Sequence, residues 1–275
     1  MLKQRILTVA VLLPAVLAGL FFLPNLYWAL AMMLGLAVAA FEWGRLAGLG
    51  AKQARVYAAA LALLAAAILA AESLTGGARA FVYTPFGKFL YVLCAAFWLA
   101  IAPAWLYSRW EVRSTPLLLC VGAVVLLPFW HAAAWLQLDP GRLLLALGVI
   151  WVADTAAYFF GRALGRHKLA PKISPGKTWE GAIGALLAVM AGWLMVAHLV
   201  PSYSASMLSG LILVAVLTII GIQGDLFESW LKRMAGQKDS GQLLPGHGGL
   251  LDRIDALTST LPLAALYFAY PALRI

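Results

Sequence analysis

The chain has 275 residues, of which 64% are hydrophobic and only 11% are charged, and its mean hydropathy is +0.90. A water-soluble domain carries about 25% charged residues. The composition therefore excludes an ordinary soluble protein and predicts a membrane protein. The formal net charge of +9 does not indicate a nucleic-acid partner, because membrane topology accounts for the positions of the basic residues.

Nine apolar segments come close to the roughly 20 residues that a membrane-spanning helix needs. The first has the charged start and apolar body of a signal peptide. No small-residue cleavage site leads from it into a polar domain, so we expect it to be retained as a helix. The fold class predicted is an all-α, polytopic membrane protein with about nine transmembrane helices. In chain order the segments are 6–24, 27–44, 56–71, 89–107, 116–137, 143–164, 181–199, 206–226 and 256–271.

The basic residues predict the orientation of these helices. If the N-terminus is cytoplasmic and nine spans alternate, all but four of the 20 Lys and Arg residues fall in cytoplasmic segments. Lys and Arg are enriched on the cytoplasmic side of membrane proteins. The sequence therefore predicts a multi-pass protein of the inner (cytoplasmic) membrane with its N-terminus in the cytoplasm. The four exceptions are Arg79, Lys88, Arg142 and Arg274.

Acidic residues divide the chain into two parts. Only four of the 11 Asp and Glu residues precede residue 150. Residues 1–140 are predicted to be transmembrane scaffold helices, in which Ala-rich sequence allows close packing. Residues 141–275 are predicted to be the catalytic region, with its polar residues in two cytoplasmic loops, 162–180 and 225–255. Both loops leave the membrane on the same side of the predicted topology, so one site can draw on both.

The stretch GDLFESWLKR ends the eighth predicted span and carries Asp225. If the helix continues, Asp225, Ser229 and Lys232 lie on one face. Glu228 and Lys232 also have the spacing of an ordinary surface ion pair on a helix, and this interpretation stays open. An acid at the edge of a membrane span is costly and indicates a functional site. Asp225 is therefore a candidate ligand for a metal.

The stretch LPGHGGLLDRID, residues 244–255, combines a turn with charge. Its glycines favour a turn whose exposed N–H groups bind phosphate, although a plain connecting loop is the alternative. Asp252 supplies the hard oxygen ligands that Mg²⁺ prefers, and Lys238 and Arg253 flank the turn with positive charge. This combination is typical of phosphoryl or nucleotidyl transfer.

The other cytoplasmic loop contains ISPGKTWEG, in which a Pro-Gly turn separates Ser174 from Lys177. It lacks the spacing of a P-loop. We expect both side chains to contact an anionic substrate, and positive-inside charge is the alternative for Lys177. Asp154 lies within a predicted span and needs a partner or a cation; it either bonds a neighbouring helix group such as Tyr158 or faces an inner cavity. Glu42 has the same two interpretations.

Residues 229–255, SWLKRMAGQKDSGQLLPGHGGLLDRID, resemble the signature of the membrane phosphatidate cytidylyltransferases, the CDP-diacylglycerol synthases. GDLFES and ISPGKTWEG resemble that family as well. The resemblance implies a homodimeric membrane enzyme that converts CTP and phosphatidic acid into CDP-diacylglycerol and pyrophosphate in a cytoplasm-facing cavity. It implies Mg²⁺ held by Asp225 and Asp252, with K⁺ as a further candidate cation.

The predicted site draws on the resemblance and on the residues together. The predicted catalytic residues are Asp225, Asp252, Lys232 and Lys238. The predicted substrate-binding residues are Ser174, Lys177, Ser229, Arg233, His247, Gly248, Gly249 and Arg253. The partners predicted are CTP, phosphatidic acid and membrane lipid.

Other functions fit the sequence less well. An ion-coupled transporter would explain intramembrane acids, but paired interrupted spans in two halves are not found. Another lipid-linked nucleotidyltransferase, or a lipid kinase, would use the same charged residues with a different nucleotide or lipid. A purely structural scaffold leaves the charged residues 229–255 unexplained.

Overall fold

The computed structural model describes residues 2–200, 207–243 and 248–270, which form a bundle of helices with one small hairpin. Pro85–Ser108 is a single apolar rod in which α5 and α6 are joined by a π-helical turn, Phe97–Ile101. The helices are α1 (Leu2–Phe22), α2 (Asn25–Leu46), α3 (Ala51–Thr75), α4 (Ala78–Phe81), α5 (Pro85–Ala96), α6 (Ala102–Ser108), α7 (Thr115–Gln137), α8 (Pro140–Leu164), α9 (Trp179–Leu199), α10 (Met207–Met234) and α11 (Leu251–Ala269). The strands are β1 (Lys168–Ala170) and β2 (Ser174–Thr178).

The helices confirm the predicted class of polytopic membrane protein. Each of the nine predicted spans overlaps a helix of the described chain. Seven helices in the described ranges are long and apolar enough to cross a membrane, namely α2, α3, the rod Pro85–Ser108, α7, α8, α9 and α10. The remaining two predicted spans fall on α1 and α11. The total of nine and the side of the N-terminus stay predictions.

Helix α7 packs at the centre of the bundle, and hydrogen bonds from tryptophans of both helices hold α2 against it. The indole N–H of Trp130 on α7 donates to the carbonyl of Ala29 at 3.0 Å, and Trp28 on α2 donates to Ala133 at 3.0 Å. Trp43 donates in the same way to Leu118 at 2.8 Å. Buried indole N–H groups need such partners. These bonds position the last turn of α2, which carries Glu42.

Helices α10 and α11 approach each other closely along small residues. A Cβ atom placed on Gly224 would lie 2.5 Å from the hydroxyl of Ser259 and 2.8 Å from the carbonyl oxygen of Asp255. Only glycine fits at such a distance, as is common where membrane helices pack. This contact sets Asp225 beside the first turn of α11.

Both predicted loops are shorter in the structure than in the sequence analysis. Helix α10 continues to Met234 and α11 begins at Leu251, so the predicted loop 225–255 reduces to residues 235–250. Within the predicted loop 162–180, β1 and β2 pair antiparallel, with Lys168 opposite Thr178. Two prolines in this loop disfavour a helix, and the segment forms two short strands instead. The all-α prediction did not include them. The prediction of a scaffold over 1–140 and a catalytic region over 141–275 stays a prediction.

Candidate active site

The carboxylate of Asp225 connects α10 to the hairpin. The ammonium of Lys177, near the end of β2, lies 2.5 Å from Oδ2 of Asp225. The hydroxyl of Ser229, one turn further along α10, donates to Oδ1 at 3.2 Å. The predicted continuation of this helix past Asp225 is therefore correct. The structure also joins the two polar loops, as their placement on one side of the membrane predicts.

A buried lysine stands between two acids at the end of α10. Nζ of Lys232 lies 3.0 Å from Oε2 of Glu228 and 2.5 Å from Oδ1 of Asp252. Lys232 is 9% exposed and Glu228 is 3% exposed. Burying charges costs free energy unless they are paired and hydrogen-bonded. The interpretation of Glu228 and Lys232 as an ordinary surface pair is therefore wrong, because the pair is buried and includes Asp252.

Asp252 also holds the glycine-rich segment against the start of α11. Its Oδ2 accepts hydrogen bonds from the backbone N–H and the hydroxyl of Ser240, each at 2.9 Å, and from the N–H of Gly249 at 2.8 Å. Burial by itself raises the pKa of Asp252, but the hydrogen bonds from Lys232 and from the two backbone N–H groups outweigh it, so that the pKa lies below its ordinary value. Asp252 is therefore ionised at neutral pH.

Gly248 shows why this segment needs glycine. Its φ is +83°, a conformation that other residues rarely adopt. A Cβ atom on Gly248 would lie 2.7 Å from Oδ2 of Asp252. The neighbouring Gly249 is equally confined, because a Cβ atom there would lie 2.3 Å from the hydroxyl of Ser240.

Glu42, at the end of α2, is a site residue that the sequence analysis left undecided. It is 4% exposed. Its Oε1 accepts a hydrogen bond from the N–H of Leu250 at 3.0 Å, and its Oε2 accepts from the N–H of Leu251 at 2.8 Å and from the hydroxyl of Ser240 at 3.1 Å. A carboxylate at a helix N-terminus satisfies free N–H groups and complements the helix dipole. Its position in the last turn of a predicted span, on the side predicted to be cytoplasmic, was the available signal.

Two cavities adjoin this network of charged side chains. The first, of about 210 Å³, lies between α8, the hairpin, α9 and α10, and both Lys177 and Asp225 line it. Asp154 lines the same cavity, in agreement with the interpretation that it faces an inner cavity. The second cavity, of about 1090 Å³, lies between α2, α3 and the segment that follows α10, and Glu42 and Ser240 line it.

The structure places seven of the predicted residues in two groups of contacts, one around Asp225 and one around Asp252. They are Lys177, Asp225, Ser229, Lys232, Gly248, Gly249 and Asp252.

The other predicted residues lie outside these contacts. Lys238 lines the second cavity instead of the first. Ser174 begins β2, opposite Ala170. Arg233 is exposed, with Nε 3.4 Å from the carbonyl of Ile173, and Arg253 is exposed in the first turn of α11. His247 lies outside the described residues.

The donor atoms suit a hard cation in their chemistry. In the described chain, no three His, Cys, Asp or Glu residues are grouped as a metal site, but Mg²⁺ commonly takes only one or two carboxylates and leaves other positions to water and phosphate. Each oxygen of Asp225 has one partner and retains a lone pair. Oε1 of Glu228 is buried with no hydrogen-bond partner in the described structure. Asp225 therefore fits the role of ligand better than Asp252, whose Oδ2 already accepts three hydrogen bonds.

Comparisons with known proteins identify the family of this chain. Residues 3–271 match the model of the cytidylyltransferase family. The phosphatidate cytidylyltransferase of Pseudomonas aeruginosa is 38% identical over 284 residues, which cover 98% of each chain. That of Haemophilus influenzae is 36% identical over 98% of this chain and 99% of its own, and that of Brucella suis is 53% identical over 121 residues, 44% of each chain. The resemblance seen in residues 229–255 is confirmed, and this chain belongs to the cytidylyltransferase family.

Proposed function

We propose that this protein is a phosphatidate cytidylyltransferase, which converts CTP and phosphatidic acid into CDP-diacylglycerol and pyrophosphate in phospholipid biosynthesis. The observation that carries the proposal is the pairing of Lys177 with Asp225 and of Lys232 with Asp252 at one end of apolar helices. Relatives of nearly the same length bear this name. An ion-coupled transporter gains no comparable support.

The location of the network suits two substrates with different solubility. Phosphatidic acid keeps its acyl chains in lipid, whereas CTP arrives from water. Asp225 lies in α10 where the predicted span 206–226 ends, nine residues before the helix itself ends, and Asp252 lies in the first turn of α11. Reactants of both kinds can reach such a boundary. Under the positive-inside rule this end of the bundle faces the cytoplasm, and we propose that the site opens there.

The proposed reaction forms one phosphorus–oxygen bond and breaks another. A phosphate oxygen of phosphatidic acid attacks the α-phosphorus of CTP, and the bond to the β-phosphate breaks to release pyrophosphate. The attacking oxygen is already ionised near neutral pH, so no strong general base is needed. The protein has to hold two anions together and offset their repulsion. Lys177 is the cation beside Asp225 that supplies this charge in the first cavity.

We propose Asp225 and Asp252 as the residues that would hold Mg²⁺, with K⁺ as a further candidate. A bound Mg²⁺ neutralises phosphate charge and makes pyrophosphate a better leaving group. The residues around these two acids keep them in place: Ser229 bonds Asp225, and Lys232 with Ser240 fixes Asp252. The homodimer that the family resemblance implies is part of the proposal.

The test is transfer of label from α-³²P-CTP to phosphatidic acid by the purified protein in detergent, with and without Mg²⁺. We expect Asp225→Asn to lower the rate by at least about 10²-fold, the typical effect of removing one electrostatic contact to the transition state. The control is Asp139→Asn, because the side chain of Asp139 is 47% exposed and pairs only with Arg142 among the described residues. A near-normal rate in Asp225→Asn would contradict the proposal.

The same assay separates the alternative enzymes. A lipid kinase would transfer the γ-phosphate, so label from γ-³²P-nucleotide and not from α-³²P-CTP would enter the lipid. Another nucleotidyltransferase would prefer a different nucleotide or an isoprenoid phosphate. We expect CTP with phosphatidic acid to give the fastest incorporation.

A further inference from the structure

Three basic side chains line the second cavity, and the reaction scheme above assigns them no role. Arg45 near the end of α2, Arg55 in α3 and Lys238 after α10 all line it. Among the described residues, the side chains of the two arginines donate only to backbone carbonyls: Arg45 to Leu49 at 2.8 Å and Arg55 to Ala51 at 3.2 Å. None of the three cations forms an ion pair with a described acid. Their charge is available to an anion.

Two acids line the same cavity, and neither neutralises these cations. Both oxygens of Glu42 accept hydrogen bonds from the start of α11 and from Ser240. Asp239 is exposed and makes no ion pair with a described cation. Three cations therefore face two acids, one of which is directed at a helix N-terminus. A phosphate group suits this end, since a guanidinium binds phosphate through two parallel hydrogen bonds.

The remaining walls of the second cavity are apolar. The wall residues of α2 lie one and two turns before Arg45, and those of α3 lie one turn after Arg55. Each helix therefore carries its arginine on one side of its small or apolar wall residues. Both helices are candidate membrane spans. The cavity thus has a charged end and an apolar body, as an amphipathic ligand does. These wall residues are Ala37, Val38, Phe41, Ala58 and Ala59.

Ser240 connects the second cavity to the site. It lines the cavity, and its hydroxyl lies 2.9 Å from Oδ2 of Asp252 and 3.1 Å from Oε2 of Glu42. A hydroxyl has one proton, so it donates to one carboxylate at a time. Ser240 therefore joins the wall of the second cavity directly to Asp252. The first cavity, with Lys177 and Asp225, borders the network elsewhere.

We propose that the second cavity binds a membrane lipid with a phosphomonoester headgroup, with the phosphate at Arg45, Arg55 and Lys238 and an acyl chain along the apolar wall. Resting on the proposed function, this lipid is the phosphatidic acid substrate. The phosphates of the nucleotide then occupy the first cavity. The two reactants thus approach the network of Asp225, Lys232 and Asp252 from different cavities.

The first test is steady-state kinetics in mixed micelles with the double variant Arg45→Gln/Arg55→Gln. We expect the KM for dioleoyl phosphatidic acid to rise at least about tenfold, with the KM for CTP within about twofold of the wild-type value. The matched control is Lys52→Gln. It removes one positive charge from α3, the helix of Arg55, at an exposed residue outside the cavity lining. A rise in the KM for CTP instead, or an effect no larger than that of Lys52→Gln, would overturn the proposal.

Two milder variants distinguish a loss of lipid contacts from a loss of folding. Arg55→Lys keeps the charge but loses the two parallel hydrogen bonds, and we expect an intermediate KM for the lipid. Ala59→Leu narrows the apolar wall and leaves the cations in place. We expect it to raise the KM for dioleoyl phosphatidic acid more than that for a short-chain analogue. Equal effects on the KM of both lipids would contradict the placement of the acyl chain in this cavity.

The second test measures binding without CTP, so that it does not depend on turnover. Wild-type protein in detergent should bind ³H-dioleoyl phosphatidic acid, and the double variant should bind it at least about tenfold more weakly. Dioleoylglycerol and dioleoyl phosphatidylglycerol, which lack a phosphomonoester, should compete poorly, as should inorganic phosphate. Competition by inorganic phosphate equal to that of the lipid would assign the charged end to free phosphate and overturn the proposal.

The two tests separate this inference from the proposed function. If the protein transfers no cytidylyl group, arginine-dependent lipid binding still decides the inference. If it transfers the group while the double variant keeps a normal KM for phosphatidic acid and normal binding, the inference fails and the proposed function stands.

Discussion

Replacing Glu42 with alanine tests whether α2 positions the site. The carboxylate accepts hydrogen bonds from the N–H groups of Leu250 and Leu251 and from the hydroxyl of Ser240. These groups belong to the segment that leads into Asp252. The variant removes all three acceptor contacts without changing any residue of the proposed catalytic set.

The expected loss of stability follows from those contacts. A buried donor that loses its acceptor costs about 1–3 kcal/mol. Leu251 is buried, whereas Leu250 is half-buried and can reach water, and Ser240 keeps Asp252 as an alternative acceptor. The loss of an acceptor for the two N–H groups should therefore lower the free energy of unfolding by about 2–4 kcal/mol, in the lower part of the range for two donors. The same loss lets Asp252 shift, and misplacement by about 1 Å lowers a rate by about 10²-fold.

The assay compares thermal unfolding in detergent with the rate of cytidylyl transfer for three variants. We expect Glu42→Ala to lose both stability and activity, and Glu42→Gln to keep more of each, since its amide oxygen still accepts hydrogen bonds. Glu111→Ala is the control, because Glu111 is exposed. A Glu42→Ala protein that unfolds and turns over like Glu111→Ala would refute the reasoning.

Three further predictions concern the same network. Lys232→Met leaves Asp252 and buried Glu228 without their shared cation, so we expect activity to be lost and Tm to fall, with partial recovery in Lys232→Arg; an active, stable Lys232→Met would contradict this. Gly249→Ala places a Cβ atom 2.3 Å from the hydroxyl of Ser240 and should abolish activity, whereas Gly192→Ala, which meets no atom within 4 Å, should be tolerated in the same transfer assay. Removal of divalent cations with EDTA should stop transfer and added Mg²⁺ should restore it; full activity in EDTA would contradict a metal-dependent reaction.

The sequence predicted the features that depend on spacing within one helix. Each apolar segment overlaps a helix because the hydrophobic run that crosses a bilayer is also a continuous helical segment. The continuation of α10 past Asp225 was enough to place Ser229 and Lys232 on its face, as their contacts now show. Local spacing fixes such side chains whatever the rest of the chain does.

Contacts between distant segments could not be predicted in the same way. Glu42 and Leu251 are 209 positions apart, and no local spacing relates them. Lys238 lies near Asp252 in sequence and carries the right charge, yet it lines the second cavity because the chain turns after Met234. The hairpin of β1 and β2 was missed because its short polar strands lack the alternation of apolar residues that indicates a strand.

The pairing of Lys177 with Asp225 and of Lys232 with Asp252 explains why so apolar a chain keeps these charges close together. An acid at the end of a membrane helix is costly when alone, and a lysine beside it offsets that cost in the protein without substrates. In the proposed reaction, the same lysines supply positive charge to two phosphate-bearing reactants. Glu42 then has a distinct task, because it is directed at the start of α11 and has no lysine partner among the described residues. It stabilises the geometry around Asp252 without consuming a cation, so Glu42 contributes to the site through position and not through charge compensation.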